Sequence, residues 1–141
     1  MALKLSLKPG EKIVVNGAVI VNGDRRSTLV LQNKASLLRE KDIMLAEEVD
    51  TPVKHVYFPI MLMYMDEKGF KKYHEEFVLR MTELLGVVED PEAKTLCVAI
   101  SKDVMDGEFY KALMKCKKLF EYEKVRLAYV PESISDDTTG E

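Results

Sequence analysis

The chain has no tryptophan, two cysteines, two histidines and five prolines in 141 residues, and each scarcity excludes a class of protein. Cys97 and Cys116 are too few for a disulfide framework and are not spaced as a metal site, so they fit a reducing compartment. His74-Glu75-Glu76 lacks the second histidine that a metalloprotease helix carries one turn on, and His55 supplies no pair either. There is no phosphate-cradling glycine loop and no nucleophile elbow. The carboxylates sit among lysines, as on solvated helix faces. The sequence therefore reads as a non-enzyme without a cofactor. No apolar run approaches the roughly 18 residues of a membrane span, and the first residues, MALKLSLKPGEK, lack the apolar region of a signal peptide. A cytoplasmic protein with no membrane contact is expected.

What is present is an ordinary globular composition, 47% hydrophobic and 32% charged, enough for one domain or two small lobes sharing a core. The net charge of −3 hides an asymmetry. Residues 1–42 hold eight Lys or Arg against four acids, +4, whereas residues 43–141 hold thirteen against twenty, −7. The N-terminal part is the anion-facing end.

That part also alternates like a sheet. Leu3, Leu5 and Leu7 interleave with Lys4, Ser6 and Lys8, the period-2 pattern of a half-buried strand. Pro9-Gly10 turns the chain, and Asn16-Gly17 between apolar runs signals a type I′ hairpin. Further strands are predicted over residues 27–31 and 35–39. Five short strands in so small a space suggest a meander or barrel. Such a module buries too little surface to stand alone, so it needs a cover from the helices or from a second copy of itself.

From Thr51-Pro52 onward the chain reads as helix. Thr51 is an N-cap and Pro52 occupies the first helical position, where a missing N–H costs nothing. The segment 53–65 is almost wholly apolar and should be buried, although Pro59 and its β-prone residues keep a strand alternative open. Asp66 caps a second helix ending at Gly86, with Phe70, Tyr73, Phe77, Met81, Leu84 and Leu85 on one stripe. Asp90-Pro91 begins a third, which Asp106-Gly107 ends, and a fourth runs from about Glu108 to Ala128. A helical hairpin there lets Cys97 and Cys116 face each other; the plainer reading is two buried thiols packed as small hydrophobes. The predicted fold is thus α+β: an antiparallel β module at 1–46, a helical lobe of about four helices at 50–129, and a disordered acidic tail at 130–141 with four acids and no base.

On the residues alone, the lysines and arginines of the module can neutralise phosphates, and an arginine plane can stack on an unpaired base. A solvated mixed-charge face is the plainer reading. The runs GAVIVNGDRR (17–26) and LREKDIM (38–44), Tyr64 with Asp66, Tyr73 with Glu75-Glu76-Phe77, and GEFYKAL (107–113) resemble the FlbT family of flagellum biosynthesis regulators. The resemblance covers nearly the whole chain to about Leu127. It implies association with the 5′ untranslated leader of flagellin messenger RNA, repressing translation or promoting decay, although some relatives act positively, and it implies a FlaF-type protein partner.

The β module also looks loosely like the carbon storage regulator CsrA, a five-stranded RNA-binding protein that forms an intertwined dimer. Leu3-Lys4-Leu5 before Gly10-Glu11 resembles its first strand, and Leu38-Arg39-Glu40-Lys41-Asp42-Ile43 the end of its last. This implies RNA contacts from Leu5 and Arg39; the pattern departs at residues 22–26 and at Lys4, where an apolar residue is usual. The expected RNA-binding set is Leu5, Arg39, Arg25, Arg26, Lys4, Lys8 and Lys41. The expected protein-partner set is Tyr57, Phe58, Met61 and Tyr64, whose plainer reading is core. A homo-oligomer is also expected. The rival function is a flagellin-export or chaperone-type adaptor acting on messenger RNA only indirectly.

Overall fold

The computed structural model describes residues 3–134, with side-chain environments as far as Val125. Five strands, β1 (Leu3–Leu7), β2 (Lys12–Val15), β3 (Ala18–Val21), β4 (Ser27–Leu31) and β5 (Leu37–Arg39), precede four helices: α1 (Pro52–Met65), α2 (Phe70–Val87), α3 (Pro91–Met105) and α4 (Phe109–Ile134). The chain is α+β.

The strands form neither a meander nor a barrel. β1 pairs antiparallel with β4, Leu5 opposite Leu29, while a second sheet has the order β3-β2-β5, with Ile13 opposite both Ile20 and Arg39. The reason lies in β2. Its residues alternate between two layers: Ile13 packs with Leu5 and Leu7 of the β1–β4 sheet, whereas Val14 joins Leu38 and the helices. A strand covered on both faces reads as a continuous apolar run, and Ile13-Val14-Val15 is one. The β3-β2-β5 sheet is therefore the middle layer, and the helical lobe covers its far side.

The turns follow their residues. Asn16 and Gly17 adopt φ of 50° and 85°, the positive pair of a type I′ turn. Gly10 lies at φ 72° in a turn closed by the Glu11 N–H donating to the Lys8 carbonyl at 3.0 Å.

The segment 53–65 is helical, which removes the strand alternative. Val53, Val56, Tyr57, Ile60, Met61 and Met63 are all at most 3% exposed, and burial on this scale outweighs an interior proline costing about 3 kcal/mol. The Thr51 hydroxyl accepts from the Lys54 N–H at 3.2 Å, and Asp90 accepts from the Ala93 N–H at 2.9 Å, so both predicted caps form. A single 3-10 turn, Glu67–Gly69, intervenes between Asp66 and α2, and α2 continues through Gly86 to Val87. Phe77, Met81 and Leu84 of its stripe are buried, whereas Phe70 and Leu85 stay exposed. Cys97 and Cys116 lie in the core of the α3–α4 pair, both inaccessible. Helix α4 reaches Ile134, past the expected end at Ala128; the rest of the expected tail, residues 135–141, lies outside the described residues. Among the described residues no helix is long and apolar enough to cross a membrane.

Candidate functional site

Two arginines of the module meet at the end of β1. Ser6 points away from the core, opposite Thr28 on β4, and Lys4 points the same way opposite Val30. Arg26 Nη1 donates to the Ser6 hydroxyl at 3.1 Å, and Arg39 Nη2 donates to the Ser6 carbonyl at 2.6 Å. Two guanidiniums from distant segments therefore meet on one residue, with Lys4 on the same sheet face and Lys8 at the adjoining strand end.

Several contacts hold this arrangement in place. Asn22 Nδ2 donates to the carbonyls of Lys8 and Arg25 at 2.7 and 2.8 Å, fixing the 22–26 turn against the end of β1. Arg39 grips Glu11 Oε2 through Nε at 3.3 Å and Nη2 at 2.9 Å, while Glu11 Oε1 accepts from the Lys8 N–H at 2.9 Å. The Lys8 N–H first, and then the Arg39 guanidinium, hold the Glu11 carboxyl below the usual carboxylate range. Lys12 donates its backbone N–H to Glu40 Oε1 at 2.7 Å, anchoring β2 to the exit of β5.

The expected RNA-binding residues divide by position. Lys4, Lys8, Arg25 and Arg26 are exposed, and Arg26 is the one bonded to the Ser6 hydroxyl. Arg39 is half-buried and tied to Glu11 rather than to Glu40 or Asp42, so it braces β5 against β1 as well as presenting a guanidinium edge. Leu5 is 8% exposed and packs with Leu7 and Ile13, facing inward on the opposite side of β1 from Lys4 and Ser6. Lys41 lies apart, on the 3-10 turn Glu40–Asp42, where it lines a different cleft.

That cleft, about 460 Å³, follows the seam between the module and α4. At its edge is Asp42, the one buried charged residue among those described, at 5% exposure. Its carboxylate pairs with the Lys117 ammonium, and its carbonyl accepts from the Tyr57 hydroxyl at 2.7 Å. Burial, and then the Asp42 charge, push the Tyr57 phenol well above its ordinary range. Glu123 completes the seam by accepting from the Thr51 hydroxyl at 2.8 Å and the Val53 N–H at 2.9 Å, so α4 caps α1. No pattern of the sequence announced Asp42, Lys117 or Glu123, because each acts across a long separation.

Of the expected partner residues, Tyr57 and Met61 are core, at 1% and 2% exposure. Phe58 and Tyr64 are half-buried. The Tyr64 hydroxyl accepts from the Leu37 N–H at 2.9 Å and donates to the Leu37 carbonyl at 3.0 Å, closing the outer edge of β5. Exposed apolar residues of the helical lobe lie elsewhere, among them Val78 and Leu79 on α2 and Val98 and Met105 on α3. Among the described residues no cluster of His, Cys, Asp or Glu is arranged to hold a metal ion.

The fold and its site define a class: a small basic antiparallel module seated on a four-helix lobe, with cationic side chains gathered at one strand end. Residues 3–127 match the family model described as flagellar protein FlbT, and the chain belongs to that family. It is 60% identical over 96% of both chains to a probable flagellum biosynthesis repressor protein FlbT of Caulobacter vibrioides. A protein with the same name from Caulobacter sp. strain K31 is 61% identical over 92% of this chain and 99% of its own length. Another from Rhodopseudomonas palustris is 35% identical over 91% and 99% respectively. No solved structure matches the chain significantly.

Proposed function

We propose that this protein is a post-transcriptional regulator of flagellin synthesis whose β module binds the leader RNA of flagellin messenger, while the helical lobe engages a FlaF-type protein partner. The observation that carries the RNA reading is the convergence of Arg26 and Arg39 on Ser6, flanked by Lys4 and Lys8. Guanidiniums held on a strand end suit phosphate and the planes of unpaired bases. Lys4, Lys8, Arg25 and Arg26 are the direct contacts of this reading, with Arg39 acting both as a contact and as a brace. Lys41 extends the basic surface. Leu5 shapes the face from beneath it.

Titration of the purified protein alone against a flagellin leader RNA, at several salt concentrations, tests this. Affinity should fall with salt, by a log–log slope of about −0.7 for each phosphate neutralised on a single strand. Arg26→Ala removes a side chain whose described bond is to a surface hydroxyl. It should leave the melting temperature unchanged while weakening RNA binding by roughly 1 to 3 kcal/mol. Absence of saturable binding would reject the RNA reading. It would favour instead a flagellin-export or chaperone-type adaptor, for which the exposed Val78, Leu79, Val98 and Met105 of the helical lobe offer a surface.

A further inference from the structure

We propose that the outer edge of β3 docks a second copy of this chain, forming an antiparallel β3–β3 pair with Ile20 on the two-fold axis. The hydrogen-bond parity of the hairpin leads to this. In a two-residue turn over Asn16-Gly17, the flanking Val15 and Ala18 exchange hydrogen bonds. The Asn22 N–H donates to the Glu11 carbonyl at 2.9 Å, in the same phase. Residues 18, 20 and 22 thus turn their backbone groups towards β2, and Val19 and Val21 turn theirs outward. Neither has an outward backbone partner among the described residues. The side chains are uncovered too, with Val19 65%, Ile20 40% and Val21 58% exposed.

The edges of β5 and β1 are guarded. The outward groups of Leu37 on β5 are both taken by the Tyr64 hydroxyl. On β1, Lys4 places a charge mid-strand, and the Ser6 carbonyl is occupied by Arg39. β3 has no charge, proline or bulge, the usual devices that keep an edge strand single. A two-fold axis brings each residue near its own copy, so a charged strand would repel itself. Residues 13–23 contain no charged side chain, in a chain that is 32% charged. With Ile20 on the axis, Val19 of each copy faces Val21 of the other, and their four N–H and four C=O groups form four inter-copy bonds. Ile20 meets Ile20 at a non-hydrogen-bonded position, where cross-strand side chains approach most closely. The result is a continuous sheet ordered β5-β2-β3-β3-β2-β5. The inference is independent of the RNA reading, since its test contains no RNA.

The experiment uses the full chain. Light scattering across a concentration series should show the mass of the wild type rising towards twice that of the monomer. Ile20→Lys and Ile20→Glu should each hold it at the monomer mass, with circular dichroism confirming the fold, and mixing the two should restore the doubled mass. Ile20→Cys, a smaller perturbation, should form a disulfide-linked dimer under mild oxidation faster than Val19→Cys, because only the former meets itself. The native Cys97 and Cys116 are inaccessible and will not compete. A wild type that stays monomeric throughout, a dimer indifferent to Ile20→Lys, or equal cross-linking at both positions would each overturn the proposal; the first would leave the edge to another protein.

Discussion

Replacing Lys117 by methionine isolates one ion pair that joins the two lobes. Asp42 exposes 4% of its side chain, whereas Lys117 exposes 34% of its own. The pair is thus buried on the acid's side and wetted on the base's. Removing one partner of a fully buried pair costs about 3 to 5 kcal/mol, because the other is stranded in low dielectric. Water reaching the lysine end reduces this, and about 2 to 3 kcal/mol is expected. Methionine keeps the aliphatic stem, so little of the loss will be packing. For a chain of this length each kcal/mol moves the melting temperature by about 3 to 5 °C, so a fall of roughly 6 to 15 °C should be seen by calorimetry. Asp42→Asn combined with Lys117→Met removes both charges and should recover part of the loss, giving a coupling of about 1 to 3 kcal/mol in the double-mutant cycle. A loss below about 0.5 kcal/mol for Lys117→Met, or strict additivity, would show that the pair behaves as a surface ion pair and that the seam is held without it.

Three further outcomes follow from the same contacts. Tyr64→Phe unpairs the N–H and C=O of Leu37 and should cost about 1 to 2 kcal/mol, with faster amide exchange at Leu37 as the local readout. Glu11 has a folded-state pKa below its ordinary value of 4.5, so its contribution is present above that value and is lost as pH falls through the folded one. The melting difference between wild type and Glu11→Gln should therefore shrink on acidification from neutrality, and a difference that grows would refute the assignment. Gly17→Ala forces a Cβ onto a residue at φ +85°, 3.0 Å from the Met65 carbonyl, and should destabilise the protein by about 1 to 3 kcal/mol in chemical denaturation.

The elements that could be read from sequence are those with local causes. The I′ turn needed only Asn16-Gly17, and the starts of α1 and α3 needed only Thr51-Pro52 and Asp90-Pro91. Strand pairing was not legible, because β1 meets β4 across the whole β2–β3 hairpin, and the local pattern is the same whichever neighbour a strand selects. The extent of α2 was missed for a related reason. A lone glycine near a helix end costs only about 1 kcal/mol against alanine, and Gly86 is passed over within the helix, whose last turn ends in the Val88 N–H donating to the Leu84 carbonyl at 3.0 Å.

The candidate site shows where residue type and residue position part company. Lys4, Lys8, Arg25 and Arg26 were recognisable from charge alone, and the Asn22 amide ties the 22–26 turn, which carries two of them, to the end of β1. Leu5 came from a resemblance, Arg39 from charge and resemblance together, and their surroundings differ from those of the four exposed cations. Period-2 alternation already decides the case of Leu5: a residue in phase with Leu3 and Leu7 stands on the opposite face of β1 from Lys4 and Ser6, so one strand cannot present leucine and lysine to the same ligand without a bulge. Arg39 falls opposite Ile13, on the face of the β3-β2-β5 sheet that looks towards β1. Its guanidinium must therefore cross the gap between the two sheets, and there it meets Glu11 and the Ser6 carbonyl before it meets solvent. Substitution of Arg39 loosens the module and removes a cation at once, whereas Arg26 reaches the same residue from the solvent side. Under the proposed RNA reading, Arg26 is accordingly the position at which binding and stability should separate.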